Sequence, residues 1–239
     1  MNFDYTYITL FGVQVFEPIT ILTNVVFFVL SWYFFLRLRK FDNEYARHMG
    51  LFIFLLGVSA LFGAIGHGIH HQYGMGIFNA TLFLMNVFSL IAIYYCFLAP
   101  FIYVRGIDER SKKYLNAVRI WVLVLITLSL ITGNFLLIKV NAGIVLLYSL
   151  LSHLRAHKTK TESGNRTVVV GIVLAFVPII IHSLRFSIHE WFNYKDLSHV
   201  AMSLSLAVIF WGAFKNASEL EKQLPSVVDE EEELETTLA

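Results

Sequence analysis

Charge is what this sequence has least of: Asp, Glu, Lys and Arg make up 15% of its 239 residues, against 57% hydrophobic. A soluble domain of this size could not bury so much apolar surface in one core, so lipid must be the solvent for much of the chain. Cysteine is nearly absent. The single Cys96 excludes an intrachain disulfide and a thiolate metal cluster, and its place inside an apolar stretch predicts a packed, structural role. A net charge of only +1, with the basic residues in a few short clusters, excludes nucleic acid as the implied partner. The first apolar run lacks both a basic flank before it and a small-residue cleavage site after it, so it reads as a retained helix rather than a signal peptide.

What the chain has instead is a series of long apolar runs. A helix needs roughly 20 mainly apolar residues to cross a hydrocarbon layer about 30 Å thick at 1.5 Å per residue. Runs of that kind cover Ile19 to Leu36, Met49 to Ile69, Met75 to Val104, Thr167 to Leu184 and Leu197 to Phe214. Pro100 is expected to kink or end the third. The stretch from Ile120 to Leu154, broken only by Lys139, fits one long helix or a hairpin. Its two flanks are both basic, which places both on one side of the membrane and selects two crossings, with Gly133, Asn134, Lys139 and Asn141 in the turn region. The reading is an all-α polytopic membrane protein: a seven-helix transmembrane domain over 1–218, then an acidic disordered tail over 219–239.

Of the 18 Lys and Arg, only Lys139, Arg185 and Lys195 then fall on the side opposite the basic loops. That bias predicts an outer N-terminus and a cytoplasmic C-terminus. The tail, with Asp229, Glu230, Glu231, Glu232, Glu233 and Glu235, is a solvated segment able to take a basic partner.

Topology sorts the nine histidines. His48, His153 and His157 fall on the basic side, and His67, His70, His71, His182, His189 and His199 on the other. His67 and His71 are four apart and Asp196 and His199 three apart, so each pair shares a helix face. A divalent ion, with zinc the expectation from ligand chemistry, needs three or four N or O donors, and His67, His71, Asp196, His199 and His189 are the candidates. A lone histidine at a helix end more often caps a carbonyl or sits among headgroups, which is the plainer reading of His70 and His189. Polar groups inside spans usually face the bundle interior, which is where His67 and His199 are expected. Asn86, Ser59 and Ser89 read as helix-packing contacts, and Gly57, Gly63 and Gly66 as close-approach positions on the second helix.

With a histidine at the end of Gly63-Ala64-Ile65-Gly66-His67 and another at His199 early in the seventh span, the chain resembles the CREST superfamily of seven-helix membrane hydrolases, which includes the alkaline ceramidases and adiponectin-receptor-like proteins. Gly63 stands at the family's serine position, Asn79 near its aspartate, and Lys195 where the first histidine of the last pair is expected. Asp196 could serve as a ligand in its place, with His71 or His189 completing the set. The resemblance implies a zinc-dependent hydrolase of amide or ester bonds in a lipid-like substrate, with Asp196 or Glu190 as general base. Two alternatives use the same residues differently: a b-type haem held by His67 and His199, or a seven-helix sensor or transporter without catalysis.

Overall fold

The computed structural model describes residues 6–69, 74–133 and 135–223. A short antiparallel hairpin, β1 (Tyr7–Leu10) and β2 (Val13–Phe16), precedes the helices. Its two-residue turn, Phe11-Gly12, has positive φ at both positions, the turn whose twist matches a hairpin. Nothing in the sequence reading anticipated this element. The helices follow: α1 (Pro18–Leu38), α2 (Glu44–Ile69), α3 (Gly74–Arg105), α4 (Glu109–Thr132), α5 (Phe135–Thr159), α6 (Gly164–Leu174), α7 (Phe176–Leu184) and α8 (Tyr194–Glu221). Among the described residues, seven segments are long and apolar enough to cross a membrane, with α6 and α7 forming one of them. The protein is an all-α seven-helix bundle, and its outer belt of exposed Leu22, Val29, Trp32, Leu123 and Trp211 is the surface a bilayer would solvate.

Several boundaries differ from expectation for local reasons. Gly133 takes the left-handed conformation at φ 60 and closes α4 at once, while Asn134, also expected in the turn, lies outside the described residues. Lys139 and Asn141 lie within α5, where Asn141 accepts from Trp121 Nε1 at 3.2 Å. Pro100 neither ends nor interrupts α3, which continues to Arg105. Pro178 does break its span: without an N–H it cannot bond the Leu174 carbonyl, and α6 stops at that residue. At the far end, α8 extends past the expected domain limit at 218. Glu219 accepts from the Ser163 N–H and hydroxyl, and Glu221 from the Asp42 N–H. The rest of the acidic tail lies outside the described residues.

The tightest packing is between α6 and α8. A Cβ on Gly164 would lie 2.1 Å from the Gly212 carbonyl oxygen, and one on Gly212 would lie 2.6 Å from Val168 N. Small residues let the two backbones touch, and in lipid that contact replaces the hydrophobic drive available in water. Gly57 plays the expected part against Ser31 of α1, where an added Cβ would lie 2.5 Å from the Ser31 Cβ. On the basic side a buried polar chain locks five spans together, α2, α3, α5, α6 and α8. His153 Nδ1 bonds the Ser149 carbonyl, and its Nε2 meets Tyr45 Oη at 3.1 Å. Asn216 donates to Tyr45 and to Asn165, and Asn165 to Tyr103. In a medium without water such groups must be satisfied internally.

Candidate functional site

The opposite, histidine-bearing end is built from the starts of α1 and α8 and the end of α2. Glu17 immediately precedes α1 with φ 47, a left-handed conformation that Pro18 makes still less comfortable for the residue before it. Strain of that kind persists where surrounding contacts overdetermine it. Here the contacts are ionic. The buried Glu17 carboxylate accepts from His67 Nδ1 on α2 through one oxygen and from Lys195 Nζ on α8 through the other. Burial alone would raise its pKa, but the hydrogen bonds and charges of His67 and then Lys195 outweigh burial and hold it at about 2.

One turn along α8 from Lys195, His199 Nδ1 lies 3.2 Å from Thr23 Oγ1 and 3.3 Å from Asn24 Nδ2. Asn24 Nδ2 also donates to the Thr20 carbonyl at 2.9 Å, which fixes it as the donor end of the amide. His199 Nδ1 is therefore an acceptor, leaving Nε2–H as the donor of the neutral ring. A neutral His67 ring would be the reverse tautomer, with Nδ1–H donating to the ionised Glu17 and Nε2 as acceptor. As neutral rings the two imidazoles thus offer opposite hydrogen-bonding character.

Both rings line a cavity of about 1060 Å³ inside the bundle, together with Lys195, Lys139, His182 and Asn79 at the same end. Lys139 Nζ lies 3.2 Å from His182 Nδ1 and links α5 to α7 there. Among the described residues, no Asp or Glu lines this cavity. Deeper down, the wall becomes mainly apolar, with Phe52, Leu56, Ile93, Leu146, Met202 and Leu206, interrupted by Ser59, Asn86, Ser89 and Ser129.

The residues expected to form a site separate into three groups. His67 and His199 both line the cavity. Asp196 lies beside them in sequence but is structural: it is buried, Thr20 Oγ1 donates to Oδ1 at 2.6 Å, and the Asn193 N–H donates to Oδ2 at 2.8 Å. It closes a capping box with Asn193 at the start of α8, so both oxygens are committed and a metal or general-base role does not fit its geometry. His189 and Glu190 are exposed in the loop between α7 and α8 and do not line the cavity, and His189 Nδ1 instead accepts from the Trp191 N–H. His71 lies outside the described residues.

Zinc requires three or more converging donors with compensating charge. Among the described residues no group of three His, Cys, Asp or Glu is arranged to hold a metal ion. His67 and His199 supply two nitrogens, and the ammonium of Lys195 sits between their helices where a cation would be repelled. The donors described therefore do not fit a zinc site. The sequence does not point to Glu17, which lies just outside the first apolar run, and it presents Lys195 only as a departure from a motif. No sequence signal singles out this pair, because Lys139, Arg185, Glu190 and Asp196 lie on the same side of the membrane reading.

No curated protein and no solved structure matches the chain. A family profile does, across residues 19–218, a range that begins two residues after Glu17 and contains His67, Lys195 and His199. The chain belongs to that family, DUF6962, described as a family of unknown function.

Proposed function

We propose that this protein binds a single-chain lipid amphiphile inside its helical bundle, with an anionic or carbonyl head at the His67, Lys195 and His199 end and the acyl chain along the apolar wall. The observation that carries this reading is the lining of the 1060 Å³ cavity: two lysines and three histidines at one end, no carboxylate among the described residues, and aliphatic and aromatic side chains below. Its volume is at the upper end of small-molecule sites. Lys195 and the Nε2–H of His199 are donors suited to a carboxylate or carbonyl oxygen. The loop-charge bias supports an outer position for this end, from which the ligand would be drawn from the outer leaflet.

The test is binding of octadecanoic acid and octadecanol to the full chain in nanodiscs, by displacement of a fluorescent fatty acid. The acid should bind saturably. Replacing a charged donor should weaken it by about 10- to 100-fold, the range for a hydrogen bond to an ionised group, in Lys195→Met or, where that variant misfolds, Lys139→Met. Octadecanol should be little affected. No saturable binding above empty nanodiscs would overturn the proposal.

A second reading retains the lipid hydrolase but without a metal, and the Glu17–His67 pair favours it. A carboxylate on Nδ1 orients the ring and stabilises its protonated form, as in hydrolytic triads. His67 Nε2 would take a proton from water as the water oxygen adds to an acyl carbonyl, with Lys195 and His199 donating to the oxygen that becomes negative. Collapse would break the C–N or C–O bond, and His67 would return the proton to the leaving amine or alkoxide. Release of fatty acid from an acyl amide or ester, lost in His67→Ala, is the distinguishing result. Binding without release leaves the first reading alone.

A further inference from the structure

About midway down the cavity wall there is a second polar site that the head group cannot use. Asn79 at the mouth and Asn86 are on α3, and seven residues at 1.5 Å rise put Asn86 roughly 10 Å deeper. His67 to Ser59 on α2 covers a similar distance. At this depth Asn86 Nδ2 donates to Ser129 Oγ of α4 at 3.1 Å, and the Ser59 and Ser89 hydroxyls meet at 2.7 Å. Asn86 is 4% exposed and lines the cavity, yet its Oδ1 has no hydrogen-bond partner among the described residues.

A buried amide oxygen without a donor is costly, and most such groups in native proteins are satisfied. In the hydrocarbon depth of a bundle the donor must come from the protein or from what fills the cavity. The methylenes of an ordinary acyl chain offer nothing. A hydroxyl does, and it suits the amide whichever way it is turned, since it donates to Oδ1 or accepts from an N–H.

We infer that Asn86, with Ser59, Ser89 and Ser129 around it, is a recognition site for a hydroxyl in the middle of the ligand's chain, so that the preferred amphiphile is a mid-chain-hydroxylated fatty acid or its derivative. This rests on the amphiphile reading above and adds a requirement to it. The polar residues are spread over α2, α3 and α4, so the site selects depth as well as chemistry. A hydroxyl next to the carboxylate would fall short of it.

The experiment compares octadecanoic acid, its mid-chain-hydroxylated form and the form hydroxylated beside the carboxylate, on the wild-type chain in nanodiscs. The mid-chain form should bind about 3- to 10-fold tighter than the other two, as one buried hydrogen bond warrants. Asn86→Leu should abolish that preference, so that the mid-chain-hydroxylated acid binds no tighter than the other two acids measured on the same variant. Because Asn86 also holds Ser129, the paired variant Ser59→Ala and Ser89→Ala provides a second test and should reduce the preference without touching the α3 to α4 bond. Equal binding of all three acids by the wild type would overturn the inference, with a water at Asn86 as its partner, and would leave the amphiphile reading standing. Failure of every acid to bind would instead overturn the amphiphile reading, and this inference with it.

Discussion

Substituting Glu17→Gln removes one charge and almost no volume, from a side chain only 7% exposed and shared by His67 and Lys195. A carboxyl held at about 2 rather than its ordinary 4.5 has its ionised form favoured by about 3 kcal/mol. Solvent screening reduces this little at such burial. Glutamine keeps a hydrogen-bond acceptor but removes the negative charge that Lys195 and His67 share, so most of that amount should appear as lost stability. For a chain of this length the expected fall in Tm is roughly 5 to 10 °C. Cys96 is the only cysteine in the chain and is buried, so a thiol-reactive fluorophore reports unfolding of the purified protein directly. The double variant Glu17→Gln, Lys195→Met should be less destabilised than the two single losses added together, since each removes the other's stranded partner. The sign with pH follows from the lowered value. The stabilisation is complete above 4.5 and is lost as pH falls towards 2, so the wild-type advantage over Glu17→Gln should shrink across that window. An unchanged melting temperature at neutral pH, or strictly additive variants, would refute the ionic assignment at this end of the bundle.

Other expectations use the same melting assay. Gly164→Ala forces α6 away from α8 and should destabilise by about 2 kcal/mol or more, whereas Gly143→Ala, with open space at its Cβ, should be neutral. Asp196→Ala should cost about 1 to 2 kcal/mol through loss of the α8 cap and the Thr20 bond. If Asp196 were a metal ligand instead, its loss would lower metal content, which elemental analysis of wild type and variant would reveal. Chelator treatment should leave lipid binding unchanged, and the purified protein should lack a haem absorption band; a loss of binding or a coloured protein would revive the metal or haem reading.

Much of the architecture was legible because bilayer thickness dictates run length, and even the ambiguous stretch from Ile120 to Leu154 resolved correctly into two helices through the charge of its flanks. The hairpin at Tyr7 to Phe16 was not, since two short apolar strands outside the spans carry no such constraint. At the site, His67 and His199 were found because imidazoles within apolar runs are conspicuous. Asp196 was misassigned because a spacing of three to His199 on a helix face competes with an equally visible cap signal, Asn193 followed three residues later by an acid. Glu17 and Lys195 could not be paired from sequence position alone: 178 residues separate them, and only the packing of α1 against α8 brings them together.

The most direct measurement of ligand position is photo-crosslinking with a fatty acid carrying a diazirine in its chain, followed by peptide mapping of the labelled protein. A chain held in the bundle should label cavity residues such as Phe83, Leu146, Met202 and Leu206, and excess unlabelled acid should compete the label away. Labelling confined to the outer belt at Leu22, Val29, Leu123 and Trp211, unaffected by competitor, would mean that the acid meets this protein only as bulk lipid and would contradict the binding role proposed for the cavity.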